Sequence, residues 1–257
     1  MKETIIVEKN KVDLKNPVLI EGLPGLGTVG KIVIKYLRKQ MKTEKLAELY
    51  SPHFAYYVLV NKRGNVRLLR NDFYYWKNEN GENDLILLTG DSQAQTVEGQ
   101  YEVASSILDY AEEKGVKLII TIGGYKAEVK DNPRVVAVST SPEVLRMASE
   151  AGAVSSPPGN PIVGIAGLLL GLSSLRKMDA LCLLGETPGY LPDAKAAKNV
   201  LSAITRLLKI KVDLEGLDKE IDKSDLIIKR MREIEEQREI AAQKMRKTEE
   251  ERVTYIS

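Results

Sequence analysis

With 257 residues, 43% of them hydrophobic, this chain can bury a sizeable core as one large domain or as a domain plus an appendage. Its formal net charge of +2 gives no electrostatic footprint for nucleic acid or for an anionic membrane surface. One cysteine, Cys182, and one histidine, His53, exclude an internal disulfide and a Cys/His zinc site, and they suit a reducing cytoplasm.

The N-terminus, MKETIIVEKN, has no signal-peptide pattern. The longest apolar run, residues 162–172, is shorter than the roughly 20 residues a bilayer requires. Residues 4–8 read as an edge strand and 18–21 as a central one. The stretch that follows is dense in glycine: Gly22, Gly25, Gly27 and Gly30 surround Pro24 and lead into helical spacing over 29–40. Two phosphate-binding templates overlap there. GLGTVG at 25–30 fits the dinucleotide fingerprint, and 25–31 fits a P-loop through Lys31, with Ile32 where that template needs Ser or Thr for magnesium. The glycines serve equally well to let a helix lie close on a sheet.

Residues 45–50, 54–60 and 66–76 are β-rich and are separated by turns, which predicts an antiparallel set. The last run carries Phe73, Tyr74, Tyr75 and Trp76, read as packing rather than as a ligand contact. His53 lies in the loop SPHF; a Ser-His-Asp triad would need it, but no orienting partner is legible, so it reads as structural. DLILLT at 84–89 predicts a buried strand. A helix follows over 96–114, with Val103, Ile107, Leu108 and Ala111 on one face. Residues 116–122 form another strand, ended by Gly123-Gly124, and 134–139 another. Pro142 opens a short helix.

After the break PPGNP at 157–161, residues 163–175 form an apolar helix, ALCLLG at 180–185 a strand, and Pro192-Asp193 cap a helix over 194–208. Strands alternating with helices predict a three-layer α/β sandwich with a mainly parallel sheet. The composition then changes: 22 of the 38 residues at 215–252 are charged. Ile227, Met231 and Ile234 fall at 4,3 spacing within that stretch, which predicts a long helical arm, either a solvated charged helix or one whose narrow apolar seam contacts a subunit or partner. The expected organisation is a core at 1–213, a charged helical extension at 214–251 and a flexible tail at 252–257.

Three segments together resemble one family: EGLPGLGTVG at 21–30, GNPIVGIAGLLL at 159–170, and LLGETPGYLPDAKAAKNVLSAI at 183–204. In this order they resemble the proteasome assembly chaperone family in an archaeal form. The resemblance implies an α/β core similar to nucleoside phosphorylases, without catalysis and without a cofactor. It also implies self-association into a ring-like homo-oligomer of about three to five subunits. Several family members engage the proteasome α-ring without ATP, through a C-terminal hydrophobic–Tyr–any-residue motif whose carboxylate pairs with a lysine. This chain ends Tyr255-Ile256-Ser257, which puts its tyrosine third from the end, where the motif places it second.

The leading reading is therefore a non-enzymatic, oligomeric, cytoplasmic scaffold that presents C-terminal arms to a protein partner. The alternative is a nucleotide-binding enzyme using the loop at 25–31. Asp91 is then the nearest candidate for a magnesium-site aspartate, and Glu44 and Glu48 the candidates for a ribose contact. A phosphorylase-like small-molecule binder is a third reading, and no histidine or arginine cluster supports it.

Overall fold

The strands are set by short, continuous apolar runs. VLIE, LILLTG and DALCLLGET are buried along nearly their whole length, as strands covered on both faces must be. The computed structural model describes residues 1–79, 81–128, 132–219 and 221. It divides into two units, Met1–Leu214 and Glu215–Ser257; in the second, residues 215–219 are helical.

In chain order the first unit runs β1 (Ile5–Glu8), β2 (Val18–Glu21), α1 (Val29–Met41), β3 (Glu44–Tyr50), β4 (Val58–Val60), β5 (Val66–Leu68), β6 (Asn71–Trp76) and β7 (Leu85–Gly90). It continues through α2 (Val97–Glu113), β8 (Leu118–Lys126), β9 (Val135–Ser139), α3 (Pro142–Glu150), β10 (Val154–Ser155), α4 (Ile165–Leu175), β11 (Asp179–Thr187) and α5 (Ala194–Leu207). Nine strands form one sheet in the order β1-β3-β6-β7-β2-β8-β11-β9-β10, and β4 and β5 form a separate hairpin.

Side chains alternate across the sheet and divide its helices into two layers. Leu19, Ile86, Leu88, Ile119 and Cys182 pack with Val103 and Ile107 of α2 and with Ile165 and Leu169 of α4. The alternate positions, including Ile20, Leu87, Ile120 and Leu181, are equally buried and face α1 and α5. The amphipathic stripes of those helices present Val33, Ile34 and Leu37, and Val200, Leu201 and Ile204. This is an α/β sandwich of three layers.

Parallel pairing is confined to the centre, β7-β2-β8-β11, and to the short β10 beside β9. The β1, β3 and β6 side is antiparallel, as the β-rich middle of the sequence predicts. Strand β9 also runs antiparallel to β11. Only eight residues, 127–134, connect it to β8, fewer than the dozen or more that a parallel crossover needs.

Three expectations are corrected. The run 66–76 is two strands in different sheets, broken at Leu69-Arg70. Of 54–60, only the last three residues are strand. Gly123 and Gly124 do not end β8, which continues to Lys126. The helix starts hold where local chemistry sets them. Thr96 Oγ1 accepts from the Gly99 N–H at 3.1 Å, and Asp193 Oδ1 from the Ala196 N–H at 2.8 Å.

Candidate functional site

The three family-like segments meet at the carboxyl ends of β2, β8 and β11. Helix α1 follows β2 so closely that backbone touches backbone. A Cβ on Gly22 would lie 2.3 Å from the Gly30 carbonyl oxygen, and one on Gly30 would lie 2.8 Å from that of Ile122. Gly27 adopts φ +60°, which favours glycine, and a Cβ there would lie 2.8 Å from Thr187 Oγ1. A Cβ on Gly124 would lie 2.5 Å from the Leu26 carbonyl oxygen. The Asp193 N–H donates to the Gly27 carbonyl at 2.8 Å and so ties the third segment to the first.

These glycines are surrounded by the protein's own atoms, which is the architectural use of such a loop. The carboxylates that a nucleotide reading would require are also engaged elsewhere. Asp91 is chelated by Arg67, with Oδ1 accepting from Nη2 at 3.0 Å, and Oδ2 accepts from the Arg70 N–H at 3.1 Å. Burial opposes its ionisation, yet Arg67 holds the carboxyl below its usual range. Glu48 sits among Lys9 at 3.0 Å, Lys45 at 3.4 Å and Arg70 at 2.6 Å. Against the cost of burial, those partners and the Tyr50 hydroxyl bring its carboxyl down to about 2. Glu44 accepts from the Tyr75 hydroxyl at 2.8 Å. Both glutamates lie on β3, which pairs antiparallel with β1 and β6 and is no neighbour of β2. A dinucleotide fold needs a parallel strand there.

Gln93 joins the first segment to the second. Its Nε2 donates to the Pro24 carbonyl at 2.7 Å, and its Oε1 accepts from the Ile165 N–H at 3.0 Å. Gly164 leaves room for it, since a Cβ there would lie 2.7 Å from Gln93 Oε1. Beside this bridge opens a cavity of ≈ 690 Å³ with Glu21, Leu23, Gln100, Ile122, Ile162 and Val163 in its walls. The first helical residues of α1 are not part of its lining.

Glu21, the last residue of β2, is 1% exposed. Its Oε1 accepts from the Leu23 N–H at 2.8 Å, while Oε2 has no hydrogen-bond partner among the described residues. Burial pushes the carboxyl up to about 7, and the backbone of Leu23 and Ile122 offsets only part of that. Across the sheet, Glu21 is in register with Thr121, and Thr121 with Cys182. Burial likewise raises the Cys182 thiol to about 12, which leaves it unreactive.

Glu186 and Thr187, in the third segment, are structural. Glu186 Oε1 takes the Arg134 guanidinium at 2.9 and 2.6 Å, and Oε2 takes the Arg134 N–H at 2.9 Å, fastening β9 to β11. His53 bridges Thr96 Oγ1 at 3.1 Å and Glu102 Oε2 at 3.2 Å. That order imitates a catalytic triad. However, Thr96 is occupied as a helix cap, and none of the three residues lines the cavity.

Among the sequence-predicted site residues, Gly27 and Gly30 are placed as described, whereas Gly25 is exposed at the cavity, with no atom nearer than 3.9 Å to a Cβ built on it. Ile227, Met231, Ile234, Tyr255, Ile256 and Ser257 lie outside the described residues. Glu21, Gln93 and Gln100 were not singled out from the sequence. The available signal for Glu21 was a carboxylate closing an otherwise apolar strand. Phe73 and Tyr74 are buried, as the packing reading requires. Among the described residues the exposed aromatics are Tyr56, Tyr57, Tyr101 and Tyr190; the first two lead into the hairpin, where Val58, Val60, Val66 and Leu68 are also exposed. Among the described residues, no helix is long and apolar enough to cross a membrane, and no group of three or more His, Cys, Asp or Glu is placed to hold a metal.

Two solved structures from Pyrococcus furiosus are similar over almost the whole chain. PbaB, described as an archaeal proteasome activator, is 42% identical with a TM-score of 0.86, covering 90% of this chain and 100% of that one. PbaA, described as an archaeal homolog of proteasome-assembly chaperone, is 28% identical with a TM-score of 0.74, covering 96% and 98%. The uncharacterized protein MJ1210 of Methanocaldococcus jannaschii is 34% identical over 95% of this chain and 93% of its own length. Residues 19–232 match the PAC2 family, and with a relative of that identity and coverage the chain belongs to the PAC2 family.

Proposed function

We propose that this protein is a non-enzymatic, oligomeric scaffold of the proteasome-assembly type, which presents its C-terminal arms to a protein partner without ATP. The observation that carries this reading is the 42% identity to PbaB across the full length of that chain. The α-ring of the proteasome is the proposed partner. Tyr255, Ile256 and Ser257 are the proposed contact, and Ile227, Met231 and Ile234 the seam of the arm over 214–251. Individually weak tails, held together on one ring-like assembly of about three to five cores, would gain through effective concentration.

Two features of the core support the reading. Gly22, Gly27 and Gly30 are crowded by the protein's own atoms, and Asp91 and Glu48 are held in ion pairs, which weighs against a nucleotide enzyme. The hairpin of β4 and β5 exposes apolar side chains on both strands, and such a patch suits contact with a second copy.

Native mass spectrometry of the full chain mixed with archaeal proteasome α-rings tests the proposal. The expected result is a complex of the oligomer with the ring that is lost in a chain ending at Val212 and weakened at least tenfold by Tyr255→Ala. Ile256→Tyr, which restores a penultimate tyrosine, should tighten it. Absence of binding by both the native chain and Ile256→Tyr would refute the α-ring as partner.

A further inference from the structure

The β4–β5 hairpin is a ribbon with two unlike faces. Val58 is in register with Leu68, Leu59 with Arg67, and Val60 with Val66. Side chains alternate across a strand, so Leu59 and Arg67 share one face and the other four residues share the opposite one. The inner face is anchored. Leu59 packs against the hydrophobic core, and Arg67 Nη2 donates to Asp91 Oδ1 at 3.0 Å. The turn is held by its own groups: Asn61 Oδ1 accepts from the N–H of Arg63 at 2.9 Å and from that of Asn65 at 3.0 Å. The outer face, Val58, Val60, Val66 and Leu68, is half to two-thirds exposed and carries no polar side chain. It is a fixed apolar platform.

Its size and its ends indicate what covers it. Covering these four residues and the neighbouring Tyr56 and Tyr57 would bury on the order of 700 Å² per copy, close to the ~800 Å² per partner of a standard interface. The two ends of the ribbon differ in chemistry. Lys62 and Arg63 stand exposed at the turn, and the exposed Tyr56 and Tyr57 stand at the base. A cation is attracted to the face of a tyrosine ring. A second copy laid on the first with the turns at opposite ends sets each cation pair beside the other copy's tyrosines. With the turns at the same end, like charges would meet. The platform therefore complements itself, as a two-fold contact that uses one patch on both subunits requires.

We propose that this outer face packs on the same face of a second copy across a two-fold axis, with the two hairpins antiparallel. This rests on the oligomeric reading above and specifies its contact. A two-fold contact joins copies in pairs, so an assembly with every hairpin covered has an even number of subunits. Four is the even number within the range of about three to five.

Native mass spectrometry of the full chain should show dimers and tetramers and no odd-numbered species above the monomer. Val60→Asp sets like charges against each other across the axis and should raise the dissociation concentration about tenfold or more. Its circular dichroism should be unchanged, because Val60 lies on the exposed face. Lys62→Cys chains co-expressed with Tyr56→Cys chains should be joined by a short bismaleimide. Lys62→Cys alone should not, since the two turns stand roughly 20 Å apart at about 3.3 Å per residue. Cys182 is buried and stays out of the reaction. An odd-numbered assembly, an unchanged assembly in Val60→Asp, or efficient linking of Lys62→Cys to itself would overturn this contact and leave tail-mediated docking standing. A chain that stays monomeric would overturn the oligomeric reading along with it.

Discussion

The central strands and the β4–β5 hairpin are both rich in branched apolar residues, yet they have opposite surroundings. Val18, Leu19 and Ile20 of β2 are buried between helices on both faces. In the hairpin, Val60 and Val66 are about two-thirds exposed, and Tyr56 just before it is fully so. Composition does not distinguish the two regions; layering does. A two-stranded ribbon has no helices to cover it and is marginal on its own. Its apolar surface is therefore available for another molecule, whereas that of the sheet is spent on holding the fold.

The largest expected effect breaks the buried side of this contrast. Gly22→Ala would drive a methyl group into the Gly30 carbonyl and Ile34, separating α1 from the sheet. Chemical denaturation should show a loss of about 3 kcal/mol or more, in the range of severe overpacking.

Next comes Glu21→Gln, which removes the one ionisable group buried at the end of β2. The folded-state pKa of about 7 lies above the usual value of 4.5. Below 4.5 the carboxyl is neutral whether the chain is folded or unfolded, and it adds nothing to the pH dependence of stability. As the pH rises to about 7, only the unfolded chain ionises, and the native protein loses stability that it does not recover at higher pH. The variant should therefore match wild type near pH 4 and exceed it by about 3 kcal/mol above pH 7. Denaturation midpoints measured across that range give the answer, and a pH-independent difference would refute the assignment.

The smallest effect on the fold is expected at the hairpin. Val60→Ser with Val66→Ser should change unfolding free energy by only about 0.5 kcal/mol. The same pair should shift the oligomer toward smaller species in analytical ultracentrifugation. A large loss of stability without a change in assembly would place the hairpin with the core instead.

Much of the fold was legible in the sequence because it is locally encoded. The continuous apolar runs mark β2, β7 and β11, Thr96 and Asp193 start their helices, and Pro142 opens α3. The ordered segments at 21–30, 159–170 and 183–204 were enough to point to the family. The site was less legible. GLGTVG reads identically whether its glycines receive a phosphate or a neighbouring backbone, and the packing separates the two: a Cβ on Gly30 would lie 2.8 Å from the Ile122 carbonyl oxygen, and one on Gly22 2.3 Å from that of Gly30. Gln93 carried no motif, because its two partners, Pro24 and Ile165, lie about 70 residues away on either side.

The sequence by itself therefore determined which segments are strands and helices, where several of them begin, and which family the chain resembles. Those signals act over a few residues through hydrophobic period and backbone capping. The tertiary structure decided that β9 runs antiparallel, that 66–76 divides between two sheets, and that Glu21 and Gln100 come to line one cavity. Each of these depends on which distant strand or helix lies alongside. That is fixed by connection length and by what remains to be buried once the local elements have formed.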